Sequence, residues 1–170
     1  MAVRKLSPSI FEEGDIVALD KSGEPVLLVD VRDDAIQGPG GAWSTPDLGQ
    51  FSNAAREGIH YVMRVNREST SVIELGEARH ATPSPDGDSS FMFTISDPVA
   101  SFRTADILAR YEPNFERKRI YRTYMQILVE SWLGDLTYRR QSPEPPGSAE
   151  LAAIGLLQRL EGGTIEVAES

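Results

Sequence analysis

The stretch "GDIVALDKSGEPVLLVDVR", residues 14 to 32, decides the fold, because two apolar runs flank a polar turn. This pattern predicts an antiparallel β-hairpin. If Asp20 faces Pro25 across the turn, the numbers of paired residues sum to 45, and Asp15 then lies opposite Asp30. Pro25 suits the first position of its strand, where a missing N–H does least harm.

The repulsion between two opposed carboxylates has to be offset by a positive charge at this end of the hairpin. Directly paired residues have Cβ atoms roughly 4.5 to 5.5 Å apart, and like charges there are destabilising. The two-residue period of a strand puts Arg32 on the same face as Asp30 and turns Val31 to the other face. On this argument alone, removing Asp15 leaves stability unchanged or raises it.

The same geometry permits chemistry. The carboxylates of Asp15 and Asp30 with a backbone carbonyl at the same end of the sheet form an oxygen-rich pocket of the kind that Mg²⁺ accepts. Such an ion activates water and stabilises charge on a phosphodiester. The alternative is an ordinary surface hairpin in which Asp30 and Arg32 form a simple ion pair, and a one-residue register slip would send Asp30 to the opposite face.

Length and composition indicate one globular domain over residues 1 to 170, with 40% hydrophobic and 25% charged residues. No apolar run approaches the roughly 20 residues that span a bilayer, so we expect a cytoplasmic protein with no membrane partner. The chain has no cysteine and two histidines. This excludes disulfides, thiolate zinc sites and a cysteine nucleophile.

The charge distribution is uneven. A net charge of -9 and a pI near 4.7 disfavour passive coating of nucleic acid. Residues 103 to 140 nevertheless hold eight basic against five acidic residues, most densely in "FERKRIYR", residues 115 to 122. This basic run is typical of a solvated helix face, and the alternative is a surface for an anion or a partner.

The remaining elements are strands and helices in a mixed order. The patterns predict a helix from about residue 45 to Gly58, two strands around "NREST", a strand at "FMFTISD", an amphipathic helix from Glu116 to Tyr138, a helix from Ser148 to Leu160 and a last strand at "TIEVA". This order indicates an α/β fold with a central mixed β-sheet flanked by helices.

The hairpin resembles the core of the PD-(D/E)XK, or restriction-endonuclease-like, superfamily. In that pattern an Asp opens one strand, and the next strand ends in Glu or Asp, any residue and Lys; here these positions are Asp15 and "DVR", residues 30 to 32. Weaker likenesses, such as "GQFSNAARE" and "LVESWLGDL", extend over about residues 12 to 168.

The resemblance implies a Mg²⁺ site and a substrate. It makes Asp15, Asp30 and the Val31 carbonyl the metal ligands and puts Arg32 where the family has Lys. It also suggests Gln50 on the following helix as a substrate-binding residue.

Further implications concern neighbouring residues. A loop after the acidic strand would bring Trp43 over the site to stack on a base, although Trp43 equally suits the edge of the core. The family's acidic residue near the N-terminus would be Glu12 or Glu13. Many such domains form homodimers, which an exposed part of the long helix would support.

Two functions from different classes follow, and a structural protein with no such site is the third possibility. One is a Mg²⁺-dependent endonuclease acting on DNA, with Asp15, Asp30 and Arg32 as catalytic residues. The other is a catalytically inactive nuclease-like domain that binds a protein partner or assembles. Arg32 favours the second, because arginine stays protonated and cannot take over a lysine's work on the attacking water.

Overall fold

The chain folds around one six-stranded sheet. The computed structural model describes residues 8–32, 51–76, 79–80, 91–92, 98–139 and 145–168. The strands are β1 (Ile16–Leu19), β2 (Pro25–Val31), β3 (Tyr61–Val65), β4 (Ser69–Glu74), β5 (Arg79–His80), β6 (Phe91–Met92), β7 (Ala100–Arg103) and β8 (Thr164–Val167). The sheet order is β7-β4-β3-β2-β1-β8, while β5 and β6 form a separate antiparallel pair.

The six-stranded sheet is mixed. Strands β2 and β3 run parallel, and the other neighbouring pairs are antiparallel. The predicted α/β class with a mixed sheet is therefore confirmed. The restriction-endonuclease-like architecture stays a prediction.

Short helices surround the sheet. They are a 3-10 helix (Pro8–Glu12), α1 (Ser52–Arg56), α2 (Thr104–Leu108), α3 (Arg122–Gly134) with a π-helical turn (Asp135–Arg139) directly after it, α4 (Ser148–Ala153) and α5 (Leu156–Leu160). In the described part of the chain, none of the helices has the length and apolar character needed to cross a membrane.

Strand β2 lies at the centre, and all seven of its residues are buried. Leu27, Val29 and Val31 pack in one apolar cluster with side chains of α2 to α5, whereas Leu28 packs in a second cluster with Phe51 and with Ala54 and Ala55 of α1. A strand buried on both faces is expected to read as a nearly continuous apolar run. Asp30 interrupts that run close to its end.

The hairpin register is the predicted one over most of its length. Three consecutive pairs, Ile16 with Val29 being the first, have residue numbers that sum to 45. A bulge then shifts the register, so that Leu19 pairs with Pro25. The prediction that Asp20 faces Pro25 is wrong, because the Asp20 N–H donates to the Glu24 carbonyl at 2.8 Å. The bulge lies at the turn, and at the other end the strand pairing stops at Ile16 and Val29, one residue short of the predicted pair of Asp15 with Asp30.

Two helix boundaries differ from the sequence prediction. The long helix begins at Arg122 rather than Glu116, because Tyr121 is extended, with φ -79° and ψ 158°. The last helix divides at Gly155, whose φ of 81° belongs to the left-handed region. Neither β7 nor α2 was predicted.

The predicted end of the helix before β3, at Gly58, is confirmed. Gly58 follows α1 with φ 82°, and its N–H donates to the Ala55 carbonyl at 3.1 Å.

Candidate functional site

The two predicted carboxylates both lie at the end of the hairpin that is opposite its turn. Asp15 and Asp30 are both buried, with 8% and 7% of their surfaces exposed. Asp15 lies one residue before β1, and its N–H donates to the Val29 carbonyl at 2.8 Å. Gly14 lets the chain approach β2 here, since an added Cβ would lie 2.7 Å from Leu28 Cδ1.

Asp15 joins several elements through hydrogen bonds. Its Oδ2 accepts the Val31 N–H at 2.8 Å, and its Oδ1 accepts from the guanidinium of Arg122. Its carbonyl accepts the N–H of Ala168 at 2.9 Å. The residue therefore connects β2, α3 and the end of β8, which makes it a structural residue in addition to a candidate ligand.

Asp30 contacts two other arginines. Arg32 Nε donates to Asp30 Oδ2 at 3.0 Å, which confirms that both side chains lie on one face. Arg64 is the direct partner of Asp30 in the parallel pairing of β2 and β3, and its Nε lies 3.5 Å from the same oxygen. The Arg64 guanidinium also lies 5.9 Å from the centroid of the Phe51 ring.

Arg122 completes the site from α3, which packs on the face of the sheet opposite to Phe51 and α1. As the first residue of α3, it donates through Nε to the Val31 carbonyl at 3.0 Å and through a terminal nitrogen to Asp15. Its side chain is 51% exposed. One guanidinium thus spans a carboxylate and a carbonyl that were both predicted to bind metal.

These contacts decide how well the residues fit Mg²⁺. The Asp15 carboxylate and the Val31 carbonyl accept hydrogen bonds from Arg122, and the Asp30 carboxylate accepts one from Arg32. A divalent cation would displace these donors and would lie beside fixed positive charges. Within the described ranges, no group of three His, Cys, Asp or Glu residues is placed to hold a metal ion. In this arrangement, the residues do not fit a divalent cation.

Glu13, a candidate for the third acidic residue of the site, instead accepts hydrogen bonds from the backbone of α1. Its two carboxylate oxygens accept the N–H groups of Asn53 and Ala54, each at 3.0 Å. Burial raises the pKa of Glu13, while these two N–H donors act in the opposite direction. Glu13 therefore satisfies N–H groups in the first turn of α1.

The predicted and the observed site residues differ in two respects. Trp43 and Gln50 lie outside the described residues. Arg64 and Arg122 are the site residues that sequence reasoning missed. Arg64 had a signal, because it is a charge inside the apolar strand "YVMRV". Arg122 had no local signal that distinguishes it from the other members of its basic run.

The segment before α3 is fixed by a cluster around Glu112. The Glu112 carboxylate accepts from Lys118 Nζ at 2.7 Å, from the Tyr124 hydroxyl at 3.1 Å and from the Asn114 N–H at 3.1 Å. The hydrogen bond from Lys118 is the main cause that lowers the pKa of Glu112. This cluster helps to place the first turn of α3, and with it Arg122.

Comparisons with known proteins give this site no precedent. No family model matches the chain, and neither a curated protein nor a solved structure matches it.

We predict that Asp15→Asn destabilises the protein by about 2 kcal/mol, because an amide cannot accept from both Val31 and Arg122 as the carboxylate does. Chemical denaturation in metal-free buffer measures this loss. Asp20→Asn is the matched control, since a single Asp20 oxygen accepts both turn N–H groups, those of Ser22 and Glu24. Unchanged or increased stability of Asp15→Asn, as carboxylate repulsion alone predicts, would contradict the structural role.

A second prediction concerns pH. Since the folded-state pKa of Glu112 is lowered, its contribution to stability is present above its ordinary pKa and is lost as the pH falls through the folded value. We expect Glu112→Gln to be less stable than wild type near neutral pH and the difference to shrink in acid. Denaturation curves from pH 7 to pH 3 test this, and a difference that is independent of pH refutes it.

Proposed function

We propose that this chain is a catalytically inactive relative of the restriction-endonuclease-like domains and acts as a binding or assembly module. The observation that carries the proposal is the pairing of both acidic residues with arginines. Arg122 spans Asp15 and the Val31 carbonyl, and Arg32 and Arg64 lie against Asp30. The acidic oxygens that a nuclease would offer to a metal are engaged within the protein.

The identity of residue 32 supports the same proposal. Arg32 is bonded to Asp30, and 37% of its side chain is exposed. An arginine stays protonated in proteins, so it cannot act as the base for an attacking water. Its remaining abilities are to neutralise Asp30 and to donate hydrogen bonds to an anion.

An exposed stripe on α3 supports assembly. Tyr121, Tyr124 and Ile127 are the exposed large hydrophobic residues of the described ranges, at 61%, 37% and 52%. Tyr124 and Ile127, three residues apart, lie on one side of α3, and Tyr121 directly precedes the helix. Apolar side chains gathered on one surface indicate an interaction site. We propose a second copy of the chain as the partner, with the two stripes paired by a twofold axis.

A Mg²⁺-dependent endonuclease acting on DNA is the second candidate. The observation in its favour is that two buried carboxylates lie near the same ends of two adjacent strands. Mg²⁺ with Asp15, Asp30 and Val31 as ligands remains a prediction from the resemblance. In this candidate, Arg122 first has to leave the oxygens that it now bonds.

Metal and DNA tests separate the two candidates. For the inactive module, we expect Mg²⁺ or Mn²⁺ to leave the melting temperature of wild type unchanged relative to NaCl of equal ionic strength. We also expect no cleavage of plasmid or single-stranded DNA by wild type or by Arg32→Lys. The reason is that Arg122 still covers the metal ligands in both proteins.

The outcome that overturns inactivity is specific. It is a metal-dependent rise in the melting temperature, together with DNA cleavage, in wild type, with both lost in Asp30→Asn. That combination would establish the endonuclease instead.

Assembly has its own test. Light scattering after size-exclusion chromatography should give a wild-type dimer, and Ile127→Glu should give a monomer, because the new charge lies in the apolar stripe. Ala153→Glu introduces the same side chain at an exposed position of α4 and should remain dimeric. A wild type that is monomeric at every concentration tested would contradict the homodimer.

A further inference from the structure

An arginine of the chain itself, Arg122, bonds two of the oxygens that were predicted to hold a metal. The Arg122 guanidinium bonds the Asp15 carboxylate and, through Nε, the Val31 carbonyl at 3.0 Å. These two oxygens come from different strand ends of the hairpin. The arginine comes from α3, 107 residues after Asp15.

We propose that Arg122 is a built-in replacement for a divalent cation, so that the hairpin end is held together by a guanidinium and does not require metal. This inference rests on the proposed function, since it explains how an inactive site retains the nuclease-like hairpin. It adds that the position is a latent metal site, which becomes available when Arg122 is removed.

The chemistry of the side chain suits this role. A guanidinium is planar, carries its charge at every ordinary pH and presents N–H groups at fixed angles to two acceptors at once. Two tasks of a bound cation are to neutralise Asp15 and to draw the Val31 carbonyl to the same centre. Arg122 performs both, and its half-exposed side chain leaves one side of the contact open to solvent.

The remaining charges set how strong the latent site is. Asp15 Oδ2 stays bonded to the Val31 N–H, and Asp30 stays paired with Arg32 and Arg64. Without Arg122, the free acceptors are therefore Asp15 Oδ1 and the Val31 carbonyl, with water to complete the coordination of an ion. Carboxylate, carbonyl and water are ligands that suit Mg²⁺ and Mn²⁺. Because few protein ligands contribute, we expect the affinity to be weak, in the millimolar range.

The test is rescue of Arg122→Ala by Mn²⁺. In metal-free buffer, we expect the melting temperature of Arg122→Ala to fall by about 5 °C, because Asp15 is left buried without its cation. Millimolar MnCl₂ should restore a substantial part of this loss, whereas NaCl of equal ionic strength should not. The wild type should show neither effect.

Three further variants isolate the cause. Arg119→Ala removes the same side chain from a position where the guanidinium lies over the Tyr121 ring, at 5.2 Å, and should show no response to Mn²⁺. Arg122→Lys keeps a positive charge beside Asp15 and should also show none. The double variant Asp15→Asn/Arg122→Ala should lose the rescue, because the carboxylate that holds the ion is gone.

Two outcomes overturn the inference. One is an Arg122→Ala variant whose melting temperature Mn²⁺ does not raise, and the other is a wild type that responds as strongly as the variant. If Arg122→Ala does not fold in metal-free buffer, refolding from denaturant with and without Mn²⁺ gives the same decision. The two proposals fail on different samples: DNA cleavage by wild type contradicts the inactive module, whereas lack of rescue in Arg122→Ala contradicts the role of Arg122 alone.

Discussion

The constraint on which the structure depends is the burial of two carboxylates at one end of its central hairpin. Asp15 and Asp30 lie at adjoining strand ends, and both are more than nine-tenths buried. A buried charge that is left unpaired costs several kcal/mol, so the surrounding elements have to supply cations and hydrogen-bond donors. Neighbouring elements supply them: Arg32 follows β2, Arg64 lies on β3 and Arg122 begins α3.

This constraint also explains where α3 begins. Tyr121 is extended and Arg122 is the first helical residue, which lets the arginine reach the hairpin from the end of the helix. The preceding segment is fixed by Glu112, and by Arg67, which donates to the Lys118 carbonyl at 2.7 Å. The tightly turned chain before α3, unlike the continuous helix predicted from Glu116, thus has a function in placing one guanidinium.

The sequence predicted the hairpin well because its information is local. Alternating apolar residues and a polar turn determine which side chains share a face, so the register of the hairpin and the pairing of Asp30 with Arg32 followed from counting. The bulge beside Leu19 was missed, since a single extra residue at a turn leaves the apolar pattern of both strands intact.

The partners of the carboxylates were harder to predict because they are distant in sequence. Arg122 is 107 residues from Asp15, and Glu13 caps a helix whose N–H groups are 40 and 41 residues away. Such contacts depend on how whole elements pack, which no local spacing encodes. Only Arg64 combined a local signal with a distant contact, as a charge within a buried strand.

The two unexpected features of the site act in the same direction. Arg32 is a group whose charge does not titrate, and Arg122 on Asp15 occupies oxygens that a metal would need. Either feature alone would be compatible with part of a catalytic site. A metal ion can bind beside an arginine, and a lysine can orient water beside a weakly bound metal ion. Together they put two permanent charges where a metal-dependent nuclease has an exchangeable cation and a titratable base. A site with permanent charges keeps its geometry without cofactor and across the neutral pH range, which suits a scaffold better than a catalyst.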